Sequence, residues 1–123
     1  MGSVLREVVI DCREPQVVAG FWAEVLGWPL VVDPRGFCWL SATGDLTAQA
    51  PLLVFVAVPE SKAVKNRLHL DLAPSGCDQQ EEMGRLLALG ARRIDIGQGN
   101  AGWIVLADPE GNEFCLLAHR ADG

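Results

Sequence analysis

Apolar and polar residues alternate along two stretches of the chain. Leu68, Leu70 and Leu72 are interleaved with His69 and Asp71, and Val8 and Ile10 are interleaved with Glu7, Val9 and Asp11. A period of two predicts half-buried strands. Each stretch runs into a segment of helical period. In the first, Pro15 suits the opening helical position, and Val17, Val18, Phe21, Trp22, Val25 and Leu26 form an apolar stripe that ends at Gly27. In the second, Asp78 is placed as N-cap with Glu81 three residues on, close to a capping box. Met83, Leu86 and Leu87 make its stripe, and Gly90 is placed to end it.

Short β segments follow each helix. The first set is Leu30–Asp33, Phe37–Ser41 and Leu52–Val58; the second is Arg92–Ile96, Trp103–Ala107 and Glu113–Ala118. Asp108-Pro109-Glu110-Gly111 reads as a hairpin turn. The order is therefore β-α-β-β-β twice, and the repeat is visible in the letters. Leu26-Gly27 returns as Leu89-Gly90, and Val9-Ile10-Asp11 returns as His69-Leu70-Asp71. The predicted architecture is a single α+β domain, with one module over about 4–58, a linker at 59–65 and a second module over about 66–119. Helices that pack on one face of each sheet leave the other face open. Two modules side by side then curl a mixed sheet around a cleft, lined by Glu7, Val9, Asp11, His69, Asp71, Glu113, Cys115 and Leu117.

Composition narrows the function classes. The chain has 123 residues, half of them hydrophobic and 21% charged, which excludes a disordered chain and suffices for a core without disulfide or metal. Ten basic against sixteen acidic residues leave a net charge of −6, which argues against a nucleic-acid partner. The longest uncharged apolar run, 48–59, is too short to cross a bilayer, and no basic-then-apolar leader opens the sequence. A cytoplasmic protein without a membrane partner is expected. Cys12, Cys38, Cys77 and Cys115 form no CxxC pair and read as reduced, buried thiols.

The duplication, together with Phe21-Trp22-Ala23-Glu24-Val25-Leu26-Gly27-Trp28, Lys65-Asn66-Arg67-Leu68-His69-Leu70-Asp71-Leu72 and Asp108-Pro109-Glu110-Gly111-Asn112-Glu113-Phe114, resembles the vicinal oxygen chelate superfamily. The likeness is greatest to its glyoxalase-like and bleomycin-resistance branch and spans nearly the whole chain. It implies the glyoxalase/bleomycin resistance/dioxygenase fold, a small organic ligand and a homodimer. Metal-dependent members place one ligand on the first and one on the last strand of each module. By that resemblance His69 stands at one ligand position, Cys115 at another and Glu7 or Val9 at a third, with Glu113 near by. The fourth position falls in Pro51–Val58, which offers no donor. The reading therefore favours no metal. A divalent cation (Zn, Ni, Mn or Fe) held by His69 with Glu7, Cys115 or Glu113 is the alternative.

His69 beside Asp71 has the makeup of a general base steered by a carboxylate; the competing reading is a histidine bonded across the sheet. Glu113 joins them as a catalytic candidate, since burial in an apolar cleft would raise its pKa; otherwise it only bonds hairpin backbone. Trp39, Trp103, Asp11, Val9, Phe55 and Leu117 are candidate ligand contacts, the two tryptophans as flat apolar walls. Packing of Trp39 on the first helix is the rival reading. Lys62, Lys65 and Arg67 form a small basic cluster near His69. Gly97-Gln98-Gly99-Asn100-Ala101-Gly102 spells GxGxxG, but a strand pattern follows it where a nucleotide site needs a helix. The expected function is binding a small, partly hydrophobic organic molecule without a catalytic metal. The alternatives are a metal-dependent lyase, isomerase or dioxygenase, and a metal-free acid–base enzyme using His69 and Asp71.

Overall fold

The computed structural model describes residues 1–47, 51–95, 97 and 102–122. Its elements run β1 (Glu7–Cys12), α1 (Pro15–Leu26), β2 (Leu30–Val32), β3 (Cys38–Leu40) and β4 (Leu52–Ala57). Then come β5 (Asp71–Leu72), α2 (Gln79–Leu89), β6 (Arg92–Arg93), β7 (Ile104–Ala107) and β8 (Glu113–Leu116). The βαβββ pattern thus occurs twice, in two compact units, Met1–Ser61 and Lys62–Gly123.

In the first unit the sheet order is β1-β4-β3-β2, with β1 parallel to β4 and the remaining pairs antiparallel. The second unit repeats it as β5-β8-β7-β6. Leu52 to Phe55 in β4 and Ile104 to Ala107 in β7 are all buried, and an interior strand with both faces covered reads as a continuous apolar run.

Local chemistry accounts for both helices. Pro15 opens α1, where its missing N–H costs nothing. Gly27 closes the helix at φ 68°, its amide donating to Ala23 O at 2.8 Å. Val18, Ala19, Phe21, Trp22 and Val25 are buried, and Phe21 meets Trp22 edge to face at 5.3 Å. Val17, expected in that stripe, is 59% exposed; it flanks the i, i+3, i+4, i+7 row that starts at Val18. Asp78 caps α2 by accepting from the Glu81 amide at 2.9 Å, and Leu86 is its buried residue while Leu87 is exposed.

Several strands are shorter than the alternation predicts. The expected 68–72 strand is reduced to Asp71–Leu72, and Leu68 is 85% exposed instead of core. Ladder bonds from Cys115 to Leu70 O and from Leu117 to Leu72 O begin only at Leu70, so Leu68 has no neighbouring strand to lie against. β6 ends at Arg93 and β7 starts at Ile104, so Trp103 precedes its strand. Ile96 and residues 98–101 of the glycine stretch lie outside the described residues; β7, a strand, follows Gly102. None of the four cysteines is in a disulfide; Cys77 is half-buried and the other three are buried. Among the described residues no helix is long and apolar enough to cross a membrane.

Candidate functional site

Register assigns side chains to faces. In the first unit Leu53 and Phe55 sit opposite Val8 and Ile10 on one side and Leu40 and Cys38 on the other. Leu53, Phe55, Leu40 and Cys38 are buried, while Val8 and Ile10 are half-buried. Phe55, expected as a ligand contact, is 0% exposed and belongs to the core. Its neighbour Val54 takes the other face with Val9 and Trp39, because adjacent strand residues point oppositely.

That other face carries Glu7, Val9 and Asp11 opposite Leu52, Val54 and Val56. Val9 and Asp11 are exposed and Glu7 is half-buried. Trp39 stands on this side, opposite Val54. Its indole Nε1 donates to Asp33 Oδ2 at 3.0 Å. The same carboxylate accepts the Arg35 guanidinium at 2.7 Å and the Arg35 and Phe37 amides at 2.9 and 3.1 Å. Burial pushes Asp33 up, but the bonds from Trp39, Arg35 and the two amides outweigh it and hold the pKa at about 2. Hydrophobic patterning alone does not single out Asp33. Asp33-Pro34-Arg35-Gly36 repeats the Asp-Pro-x-Gly spelling of residues 108–111, and that was the available signal.

In the second unit Leu72 faces Leu116, and Phe114 faces Leu106, on one side of the sheet. The opposite side holds Asp71 directly across from Cys115, and Cys115 across from Val105. His69, two residues before Asp71, returns to the same side. His69 Nδ1 lies 3.0 Å from Asp71 Oδ1 and 3.9 Å from Cys115 Sγ. The histidine and aspartate side chains are 43% and 48% exposed, while Cys115 is buried. Donor atoms of all three lie within 4.8 Å of one another. With the Asp71 carboxylate accepting from Nδ1–H, Nε2 keeps its lone pair for a ligand or a proton. Burial, then the Asp71 charge, pushes the Cys115 thiol up, with Lys65 opposing in part. The thiol is therefore protonated at neutral pH and no ready nucleophile.

Glu113 shares this face by alternation but is bound elsewhere. Its Oε2 accepts from Lys62 Nζ at 2.8 Å, and its Oε1 accepts from the Asn66 amide at 2.9 Å. Asn66 Nδ2 in turn donates to Asn112 Oδ1 at 2.9 Å. The expectation of a raised pKa is corrected: burial raises it, but the bonds from Lys62 and the Asn66 amide outweigh that and hold it below the usual range. Lys62, 51 residues away, supplies the countercharge that alternation along one strand does not reveal. Trp103 is 43% exposed and Leu117 half-buried, whereas His119 is exposed.

The family model described as a glyoxalase-like domain matches residues 7–117. The chain belongs to this family. The glyoxalase-like domain is thereby placed in the vicinal oxygen chelate superfamily, whose fold its two βαβββ units carry. Solved structures agree on the fold. A mutant of the fosfomycin resistance protein FosX from Listeria monocytogenes, complexed with Mn(II) and a dihydroxypropylphosphonic acid, is 12% identical with a TM-score of 0.70; the match covers 98% of this chain and 93% of that one. FosX from Mesorhizobium loti is 15% identical at TM-score 0.70, covering 98% and 95%. A glyoxalase/bleomycin resistance protein/dioxygenase family enzyme from Burkholderia phytofirmans is 21% identical at TM-score 0.61, covering 93% and 97%. No curated protein matches the sequence.

Proposed function

We propose that this glyoxalase-like domain binds a small, partly hydrophobic organic molecule along the sheet faces that carry His69, Asp71, Val9 and Asp11, and that His69 with Asp71 is the acid–base pair that meets the ligand's polar end. The observation that carries the reading is the 3.0 Å His69–Asp71 pair on an exposed face, with the half-exposed Trp103 ring preceding β7 in the same unit. Trp103 and Leu117 supply apolar contact there; Trp39 and Val9 do so in the first unit, where Asp11 adds a carboxylate. An imidazole oriented by a carboxylate can move a proton at Nε2. The reading includes a cytoplasmic homodimer, which light scattering on the purified protein tests for assembly. Quenching of tryptophan emission by a panel of aromatic acids and ketones tests binding. Trp103→Ala is expected to weaken it at least about tenfold by removing one aromatic contact. His69→Ala is expected to retain binding and abolish turnover. A panel that leaves the emission unchanged at millimolar ligand overturns the reading.

A second reading, a metal-dependent lyase or isomerase, is favoured by one specific observation. His69, Asp71 and Cys115 offer three donor atoms of the kinds a divalent cation takes, close enough together to share it. The set fits a cation with one open position. When bound, such an ion supplies Lewis-acid polarisation of a ligand oxygen. His69 and Cys115 would hold it from the strand positions that the family resemblance marks, and Asp71 would hold it from β5.

A further inference from the structure

We infer that Asn66 is a positioning residue: the latch between its side chain and Asn112 holds the segment carrying His69, so that the imidazole stays on the Asp71 carboxylate. The inference rests on the His69–Asp71 pair of the proposed function and goes beyond it by assigning what sets that pair.

His69 lies just before β5, whose bonds to β8 begin at Leu70 O. Arg67, Leu68 and His69 are all exposed, so burial does little to fix them. Anchors stand on either side of these three residues instead. On the far side the Cys115 amide donates to Leu70 O at 2.9 Å. On the near side Asn66 is tied twice: its amide donates to Glu113 Oε1 and its Nδ2 to Asn112 Oδ1, each at 2.9 Å. Both acceptors stand at the start of β8, the strand that also carries Cys115. A short stretch tied at both ends has few conformations to sample. Untied at Asn66, it is free back to Lys62, whose Nζ holds Glu113 Oε2 at 2.8 Å, and it opens locally.

The latch is itself held from beneath. Asp108 is 1% exposed, and its Oδ1 accepts the Asn112 amide at 3.0 Å while its Oδ2 accepts Asn112 Nδ2 at 3.1 Å. With its amide nitrogen on that carboxylate, Asn112 turns its oxygen to Asn66. The first unit makes the contrast. Asp33 Oδ1 accepts the Phe37 amide as Asp108 Oδ1 accepts the Asn112 amide, so Phe37 stands at the latch position with no side-chain acceptor. Val9 stands there in the place of His69. The module with the imidazole has the latch, and the module with the valine has a phenylalanine instead.

The ring tautomer reads the position of His69, because the bond made by one ring nitrogen decides which carries the proton. Long-range proton–nitrogen NMR spectra of the 15N-labelled full chain test the inference, with chelator present and at about pH 8.5, where an ordinary imidazole is neutral. Exposed His119 is the internal reference for a ring in water. Expected for the parent is His69 with its proton on Nδ1. Asn66→Ala should move the His69 nitrogen shifts most of the way to those of His119, and Asn112→Ala, which removes the acceptor in place of the donor, should do the same. Circular dichroism verifies that each variant is folded. Leu86→Ala, which empties a buried site in α2, should lower the urea midpoint and leave the His69 shifts unchanged. Shifts unchanged in the folded Asn66 and Asn112 variants, or moved equally by Leu86→Ala, overturn the latch and leave the acid–base pair standing. A parent whose His69 proton sits on Nε2 overturns the pair, and the latch with it.

Discussion

The two sheets share strand order and a parallel first-to-last pairing, yet the faces that carry Val9 and His69 differ in chemistry. On the first, Val9 and Asp11 lie beside Val54 and Val56; on the second, His69 and Asp71 lie beside Cys115. Asp11 and Asp71 occupy the same step of the ladder, so one acidic residue is common to both. What differs is its surroundings. In the first unit the carboxylate faces apolar neighbours across the strand pair, and in the second it gathers an imidazole and a thiol within 4.8 Å. A duplicated fold therefore does not duplicate a site; two side chains per module decide whether the face can do chemistry.

The sharpest way to break the contrast is to move those two side chains. Val9→His with Val56→Cys rebuilds the second unit's donor set on the first. Val9 is 51% exposed and Val56 half-buried, so both replacements fit at small cost. On the metal-dependent reading, elemental analysis of the Co(II)-loaded and desalted variant is expected to find two ions per chain where the parent holds one. A stoichiometry that stays at one would mean that register alone does not make the site.

Next in size is the core beneath the first face. Phe55→Ala should cost about 3–5 kcal/mol in urea unfolding, the usual range for emptying a buried aromatic site. Val9→Ala, one strand away on the open face, should change stability by less than about 0.5 kcal/mol. Equal effects at the two positions would refute the face assignment.

This pair also marks the limit of what the sequence discloses. Both helices were legible because their signals are local: Pro15 and Gly27 bracket α1, and Asp78 with Glu81 opens α2. His69, Asp71 and Cys115 were legible as one face by alternation alone. The side taken by Phe55 was not, since a one-residue change of register reverses every side chain and nothing within an unbroken apolar run sets it. Leu68 failed for a related reason: alternation predicts a strand, but only a partner strand buries it. Glu113 looked like an acid in an apolar setting until the fold brought Lys62 to it.

The Lys62–Glu113 pair is the third test. With side chains 20% and 10% exposed, it is shielded more than a surface ion pair. Lys62→Met leaves a half-buried carboxylate with only amide donors and should cost about 2 kcal/mol in urea unfolding. Lys62→Met with Glu113→Gln should recover part of that loss, because the uncompensated charge is then gone. No recovery in the double variant would show that Lys62 contributes through its aliphatic stem instead.

The smallest effect compares the two Asp-Pro-x-Gly turns. Each closes with a Gly amide donating back to the Asp carbonyl, at 2.9 Å for Gly36 and 2.8 Å for Gly111. In each, Asp Oδ1 also accepts the amides two and four residues on. They part at the second oxygen. Asp108, buried, turns it to Asn112 Nδ2, whereas Asp33 gives it to Trp39 and Arg35. The Asp33 pKa is lowered from the ordinary 3.8 to about 2 by those bonds. Between these values the unfolded chain binds more protons than the folded one, so stability rises with pH across the window. The contribution is complete above about pH 4 and is lost as pH falls through about 2. Protonation takes the charge from the indole's acceptor, so Trp39 emission should change over that same range, and Trp39→Phe should remove the change. Asp33→Asn keeps an acceptor oxygen but cannot titrate, and it should leave the Trp39 emission flat from pH 5 to 2. An acid transition that persists in Asp33→Asn would assign it to another carboxylate and separate the Trp39 ring from the turn that holds it.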